Sequence, residues 1–362
     1  MIRGASGPAA TFDNSIRSSD IWDRFEILRL TTPIRYAGDP AYADWVDRVG
    51  DGLAPFESAV DVGHLDHVED LHDAARHLFL DDDLATSPDA VHRSFLSPLN
   101  ARVDQFNRLM LDKIEGQPES MPLFHLSSFL SPTISPDDID TLIVMLKITC
   151  YTECYHSHDT IKEQDDADFH LPVGAEDDLL ATMQEPGVPP AALSLKVGCI
   201  ASIMWNLSVE DGLVKNARVQ VVSLQPNVVQ VRLLQQGAIR RRAPDAGQAD
   251  MPTFFLPRIS FEFQPLGANW TVQRRQFPLR LAYATTFNSC QGLTLDRVVL
   301  DLTKPVFAHG QLYTSLSRVR SGSDLRILRC PGERGVPTPN VVYRILLLPT
   351  EDGEDAMSIV AE

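Results

Sequence analysis

The rhythm of apolar positions along this chain changes twice. In "PAYADWVDRVGDG" (40–52), Tyr42, Trp45, Val46 and Val49 fall on one helical face, and Gly52 stops the run. In "RSFLSPLNARVDQFNRLMLDKIEG" (93–116) a short apolar strand meets a Pro turn. Leu99, Val103, Phe106, Met110 and Ile114 then recur every three or four residues until Gly116. Residues 21–35, "IWDRFEILRLTTPIR", predict a short helix running into a strand, and 64–80 an acidic helix. From 193 onward the period falls to two. "LSLKVGCIASIMWNL", "ARVQVVSL", "VVQVRLL" and "FFLPRISFEF" are short strands broken by Gly, Asn and Pro, the pattern of a small barrel. Strands return in "FPLRLAYATT", "DRVVLDL", "DLRIL" and "VVYRILLL", with a helix over 309–318 among them. The expectation is an α/β domain with a parallel sheet, interrupted by a small β-barrel insert.

Composition refines this picture. With 44% hydrophobic and 22% charged residues, the 362-residue chain can bury an ordinary core. No apolar run reaches the length of a membrane span, and the N-terminus lacks a secretion signal's apolar core, so a soluble intracellular protein without a membrane partner is expected. Five scattered cysteines predict reduced thiols. The formal charge is −17, yet residues 232–330 carry 14 Lys and Arg against 6 Asp and Glu. That balance of +8 leaves −25 for the remainder, so one basic segment can meet phosphates locally.

These residues bear on several chemistries. No Gly-Lys dipeptide occurs anywhere, so the chain has no G-x-x-x-x-G-K-[ST] phosphate loop. An apolar strand ending in Asp-Glu, to hold magnesium, is missing too. "CYTECYHSH" (150–158) gathers Cys150, Cys154, His156 and His158, but not as the separated pairs that zinc favours, so no metal site is expected. In "HGQLYTSLSRVRS" (309–321) Arg318 and Arg320 end an apolar helix. An arginine there completes a phosphoryl-transfer site from a second domain, or simply satisfies the helix's last carbonyls. The segment alone leaves both readings open. "TTFNSCQG" (285–292) follows a strand, where α/β sheets present ligand-binding loops.

Taken together, "RRQFPLRLAYATTFNSCQGLTLDRVVLDLTKPVFAHGQLYTSLSRVRS" resembles motifs V and VI of the petite-integration-frequency (Pif) type DNA helicases, RecD-like members of superfamily one that include Helitron-borne enzymes. "SIRSSDIWDRFEILRLTTPIR" resembles the approach to motif IV, "FLSPLNARVDQFNRLMLDKIEG" the T-P-x-N segment, and "GVPPAALSLKVGCIASIMWNL" with "GLVKNARV" the inserted SH3-like barrel. The resemblance implies the second RecA-like half of an ATP-driven 5′→3′ helicase. Its expected parts are a leader (1–20), the first part of the RecA-like domain (21–116), an irregular acidic insertion (117–175), the barrel (176–265), the second RecA-like part (266–348) and an acidic tail (349–362). The first RecA-like domain, which in the family carries the phosphate loop and the Mg2+ carboxylate, has no counterpart in these motifs. ATP and Mg2+ would engage only with that domain, supplied in trans.

By motif position the resemblance implies catalytic roles for Arg318 and Arg35 at the γ-phosphate. It implies cofactor contacts for Gln291, Gly292 and Arg320, and DNA contacts for Thr286, Asn288 and Asn100. Single-stranded DNA is the expected partner. DNA repair, recombination, telomere or transposon maintenance is the expected setting, in the nucleus or alternatively the mitochondrion. The chain departs from the family at Ser289 (usually lysine), Pro33 (usually asparagine) and Lys215-Asn216 (usually Asn-Gly). Tyr155, Ser157 and Asp159 fit its Y-x-S-x-D pattern. A chain unable to hydrolyse ATP unaided is expected; the alternative is a non-catalytic fragment that binds single-stranded DNA or a partner.

Overall fold

The computed structural model describes residues 7–28, 34–81, 85–114, 152–162, 175–234, 252–265 and 270–347. The expected insertion core at 117–149, the acidic tail, Pro33 and Cys150 lie outside the described residues. The chain divides into two compact units. One comprises Met1–Leu78, His92–Asp104 and Ala284–Glu362, the other Phe79–Val91 and Gln105–Tyr283.

The first unit is built on five parallel strands: β1 (Asp66–Val68), β2 (Arg93–Ser97), β3 (Ala284–Thr286), β4 (Arg297–Asp301) and β5 (Leu325–Leu328). Their order across the sheet is β3-β2-β4-β5-β1, and every neighbouring pair is parallel. Register places Leu96 beside Leu300 and Val298 beside Leu325. These four, with Ile327, enter one core with Val46, Val49, Leu312 and Leu316. That core explains the two helices packed into it, α1 (Pro40–Asp51) and α2 (Gln311–Leu316). The Asp39 carboxylate accepts from the Tyr42 amide at the start of α1, and Gly52, left-handed at φ 59°, returns its N–H to Arg48 and Val49 carbonyls. Burying Tyr42, Val46 and Val49 is worth about 2 kcal/mol each. Gly50 is required by a close approach, because a Cβ there would stand 2.6 Å from Tyr313 Cδ2.

The second unit is antiparallel. Five strands run in the order Thr253–Pro257, Val228–Leu233, Arg218–Leu224, Ile200–Ile203 and Leu279–Leu281. A three-stranded sheet joins Ile259–Phe263, Thr271–Gln276 and His158–Lys162, and Glu153–His156 pairs with Ala192–Leu195. No ladder joins these three sheets into a closed barrel among the described residues. In the turn at Lys215-Asn216, Asn216 takes φ 69°, which asparagine tolerates better than other side-chain-bearing residues. Arg274 is fully buried, and Asp159 meets its Nε and Nη2 at 2.9 and 2.8 Å.

Two expected strands do not form among the described residues. Residues 25–28 of "FEILRL" form none, with Phe25 and Leu28 50% and 81% exposed and no strand pairing with them. "VVYRILLL" holds a short 3-10 turn, Arg344–Leu346, instead. Both segments are β-branched or apolar, but a strand needs a ladder partner that local sequence does not specify.

Candidate functional site

The carboxyl ends of the parallel strands carry the loops that the motifs occupy. β3 ends at Thr286, in register with Ser97 at the end of β2, and the chain then turns through residues 287–292. The Phe287 amide donates to the Ser97 carbonyl at 3.1 Å, and the Cys290 amide to the Thr286 carbonyl at 3.0 Å, which closes the turn. Thr286 Oγ1 donates to Ser289 Oγ at 2.9 Å. Gly292 adopts φ 86°, a conformation costly for residues bearing a Cβ. The loop therefore has two sides. Phe287 and Cys290 are buried, while Asn288, Ser289, Gln291 and Gly292 are exposed.

Arg318 occupies the inner side. It lies just beyond α2 and is 7% exposed. Its Nη1 donates to the carbonyls of Cys290 (3.4 Å) and Leu293 (3.2 Å), and its Nη2 to the Ser317 hydroxyl at 2.6 Å. Its Nε is buried with no hydrogen-bond partner among the described residues. Burial, and then Arg35 nearby, hold the guanidinium below its ordinary pKa. Arg35 reaches the same point from the other end of the unit's sequence, its Nη1 donating to the Ser317 carbonyl at 2.6 Å. Burial raises the hydroxyl of adjacent Tyr36, against the opposing pull of Arg35. Ser317 thus joins the two arginines, with its carbonyl to one and its hydroxyl to the other.

The remaining expected residues sort into those near this loop and those apart from it. Asn288 accepts from Gln311 Nε2 at 3.4 Å, and Gln311 Oε1 accepts the amides of Phe307 and Ala308. That buried glutamine ties the start of α2 to the exposed loop. Asn100 is exposed at the first residue of the helix Asn100–Lys113, three residues beyond β2. Arg320 does not join Arg35 and Arg318; it pairs on the surface with Asp296 at 2.7 Å. Cys154 Sγ lies 3.9 Å from His156 Nε2, and no group of His, Cys, Asp and Glu suits a metal ion among the described residues.

Sequence reading passed over one organising carboxylate. Asp301, fully buried at the end of β4, accepts from Ser97 Oγ (3.1 Å), Arg102 Nε (2.9 Å) and Thr303 Oγ1 (2.5 Å). It fixes the ends of two neighbouring strands and the first turn of the helix that Asn100 opens. An Asp closing the apolar run "RVVLD" was its one available signal. Ser317 was missed for a simpler reason: half of its role belongs to its backbone carbonyl.

No family model matches the chain. Among characterised proteins it is 35% identical over 150 residues to the ATP-dependent DNA helicase PIF1 of Danio rerio, a match covering 41% of this chain and 21% of that protein. It is 36% identical over 144 residues to human PIF1, covering 38% and 19%, and 29% identical over 164 residues to Pif1 of Bdellovibrio bacteriovorus, covering 45% and 34%. Among solved structures, Pif1 helicase from Candida albicans aligns with a TM-score of 0.48 at 20% identity, over 85% of this chain and 58% of that one. Bacteroides Pif1 bound to ssDNA aligns with a TM-score of 0.45 at 17% identity, over 85% and 53%. The matched segment is related to the Pif-type DNA helicases, and it spans about a fifth of the vertebrate relatives' length.

Proposed function

We propose that this chain is the second RecA-like half of a Pif-type ATP-dependent helicase that moves 5′→3′ along single-stranded DNA. The observation that carries this reading is the meeting of Arg35 and Arg318 at Ser317, against the inner side of the Cys290–Leu293 loop. Two guanidiniums held at uncharged partners suit a γ-phosphate made available by another domain, because among the described residues no carboxylate in contact neutralises their charge. The unpartnered Arg318 Nε fits an incoming phosphate oxygen. ATP and Mg2+ would be held by a first RecA-like domain acting in trans, since this sequence contains no phosphate loop; that domain would supply the phosphoryl chemistry.

The outer side of the same loop, with Thr286 and Asn288, and the helix start at Asn100 would grip DNA phosphates without reading bases. Gln291 and Gly292 would lie at the nucleotide cleft. Arg320, engaged with Asp296, supports the loop after α2 and would reach nucleotide only by leaving that pair. The antiparallel unit is read as the SH3-like barrel inserted into the RecA-like domain. Genome maintenance in the nucleus, or alternatively the mitochondrion, is the matching setting, as repair, recombination, telomere or transposon work.

The test is single-strand binding by the purified chain, followed by fluorescence anisotropy across a salt series. Binding should weaken linearly in log–log form with salt, and Thr286→Ala with Asn288→Ala should lower affinity while leaving the salt slope unchanged, because both side chains are neutral. The chain alone should show no DNA-stimulated ATPase. A robust rate abolished by Arg318→Ala would overturn the division of labour between two domains. Single-strand binding indifferent to ATP and to an added first domain would favour the non-catalytic alternative.

A further inference from the structure

Arg329, the residue after β5, lies at the same carboxyl edge of the parallel sheet but takes no part in the site above. It is 7% exposed, and its Nε and Nη2 are both buried with no hydrogen-bond partner among the described residues. These two nitrogens carry the parallel N–H bonds of one side of the guanidinium, the fork that receives two oxygens of a carboxylate or phosphate. Arg274 uses that same side, with Asp159 against its Nε and Nη2. Leaving such a pair of buried donors unmet is costly, so the fork calls for an acceptor.

On the neighbouring strand β1, His67 is in register with Ile327, two residues before Arg329, and its Nε2 is likewise buried and unpartnered among the described residues. Burial comes first in holding this imidazole below its ordinary pKa, followed by the charges of Arg334 and Arg329. The acidic groups that face the cluster are Asp66 near His67, and Glu333 and Asp61 near Arg329. Asp61 Oδ1 already accepts the Gly63 amide at 2.8 Å. Glu333 sits in the exposed loop after β5, with its amide on the Cys330 carbonyl at 3.1 Å. These carboxylates would repel a long polyanion, whereas a single small anion needs only the fork and the imidazole.

We propose that the Nε/Nη2 fork of Arg329, with His67 of the neighbouring strand, binds one small phosphate-type oxyanion, admitted by movement of the loop over residues 330–337. The site is independent of the helicase reading. Nothing in it requires ATP, DNA or a second domain.

The probe is inorganic phosphate, titrated into the 15N-labelled full chain while the Arg329 Nε–H and His67 ring signals are followed by NMR. Both signals should move saturably. Arg329→Lys keeps the charge without the fork, and should weaken the affinity at least about tenfold while circular dichroism stays unchanged. Glu333→Gln, which removes an exposed carboxylate acting on Arg329, should tighten binding. Absence of a shift in the folded chain overturns the proposal, as does a shift retained in Arg329→Lys. Binding seen only after Glu333→Gln would assign the fork to Glu333 instead. A shift produced by a short single-stranded oligonucleotide but not by phosphate would assign Arg329 to the nucleic-acid track, and the small-anion site would fall.

Discussion

Arg274 and Arg318 are buried almost equally, at 0% and 7% exposure, yet their surroundings have opposite character. Arg274 lies in the antiparallel unit with a carboxylate against its Nε and Nη2, and the carbonyls of Leu180, Met183 and Pro189 take its remaining N–H groups. Arg318 lies in the parallel unit with two carbonyls, one hydroxyl and an unmatched Nε. The first arrangement is closed and holds three segments of the chain together. The second leaves a positive charge without a carboxylate in contact among the described residues, a state that costs stability and that the proposed function accounts for by an anion to be received. Burial alone does not distinguish these two arginines; the charge of their partners does.

The largest test of that contrast is Asp159→Ala. It leaves the Arg274 guanidinium buried without its anion, so denaturant unfolding should show a loss of about 3–5 kcal/mol. Arg318→Ala should cost only about 1 kcal/mol by the same measurement, because it strands no charge. With a first RecA-like domain supplied, however, it should lower ATP turnover roughly 10³-fold or more. An equal stability loss in the two variants would dissolve the distinction. Between them stands Asp301→Asn, which weakens three hydrogen bonds at the carboxyl edge of the sheet and should cost about 2 kcal/mol by thermal or denaturant unfolding.

A pH titration sharpens the picture of the parallel unit. Burial, with Arg326, Arg297 and Arg93, lowers His77 to about 4, below the ordinary 6.5. The folded unit therefore favours the neutral ring. Its contribution is fully present above pH 6.5 and is lost progressively as the pH falls toward 4. Denaturation midpoints should decline over that window, and His77→Gln should flatten the decline. The smallest effect belongs to Arg320→Ala. Its pair with Asp296 is 62% and 49% exposed, so stability should change by no more than about 0.5 kcal/mol and less at high salt.

The parallel unit was legible where its signals are local. Asp39, Pro40 and Gly52 delimit α1, and the spacing of Tyr42, Val46 and Val49 names its buried face. The β2 strand and the helix from Asn100 follow their own periodicity, as do the strands at 297–301 and 325–328. "FEILRL" and "VVYRILLL" carry the same local signal without becoming strands, since pairing depends on a partner edge. The candidate site was legible as strings of residues, through their resemblance to family motifs, and not as an arrangement. Arg318 and Arg320 look alike in "SRVRS", yet one is buried against carbonyls and the other is paired with Asp296 at the surface.

The sequence by itself determined the ends of α1, the two rhythms of apolar positions and the motif strings, because turns of helix, strand alternation and caps act within a few residues; the helix expected over 64–80 instead opens with the strand β1. It also determined that no phosphate loop is present. Tertiary structure alone decided which charge meets which. Asp159 is 115 residues from Arg274, Ser97 is 204 from Asp301, and Arg35 is 282 from Ser317. Pairing at such separations depends on sheet order and on which side chains share a face. Those follow from the packing of the whole unit, and no window of neighbouring residues contains them.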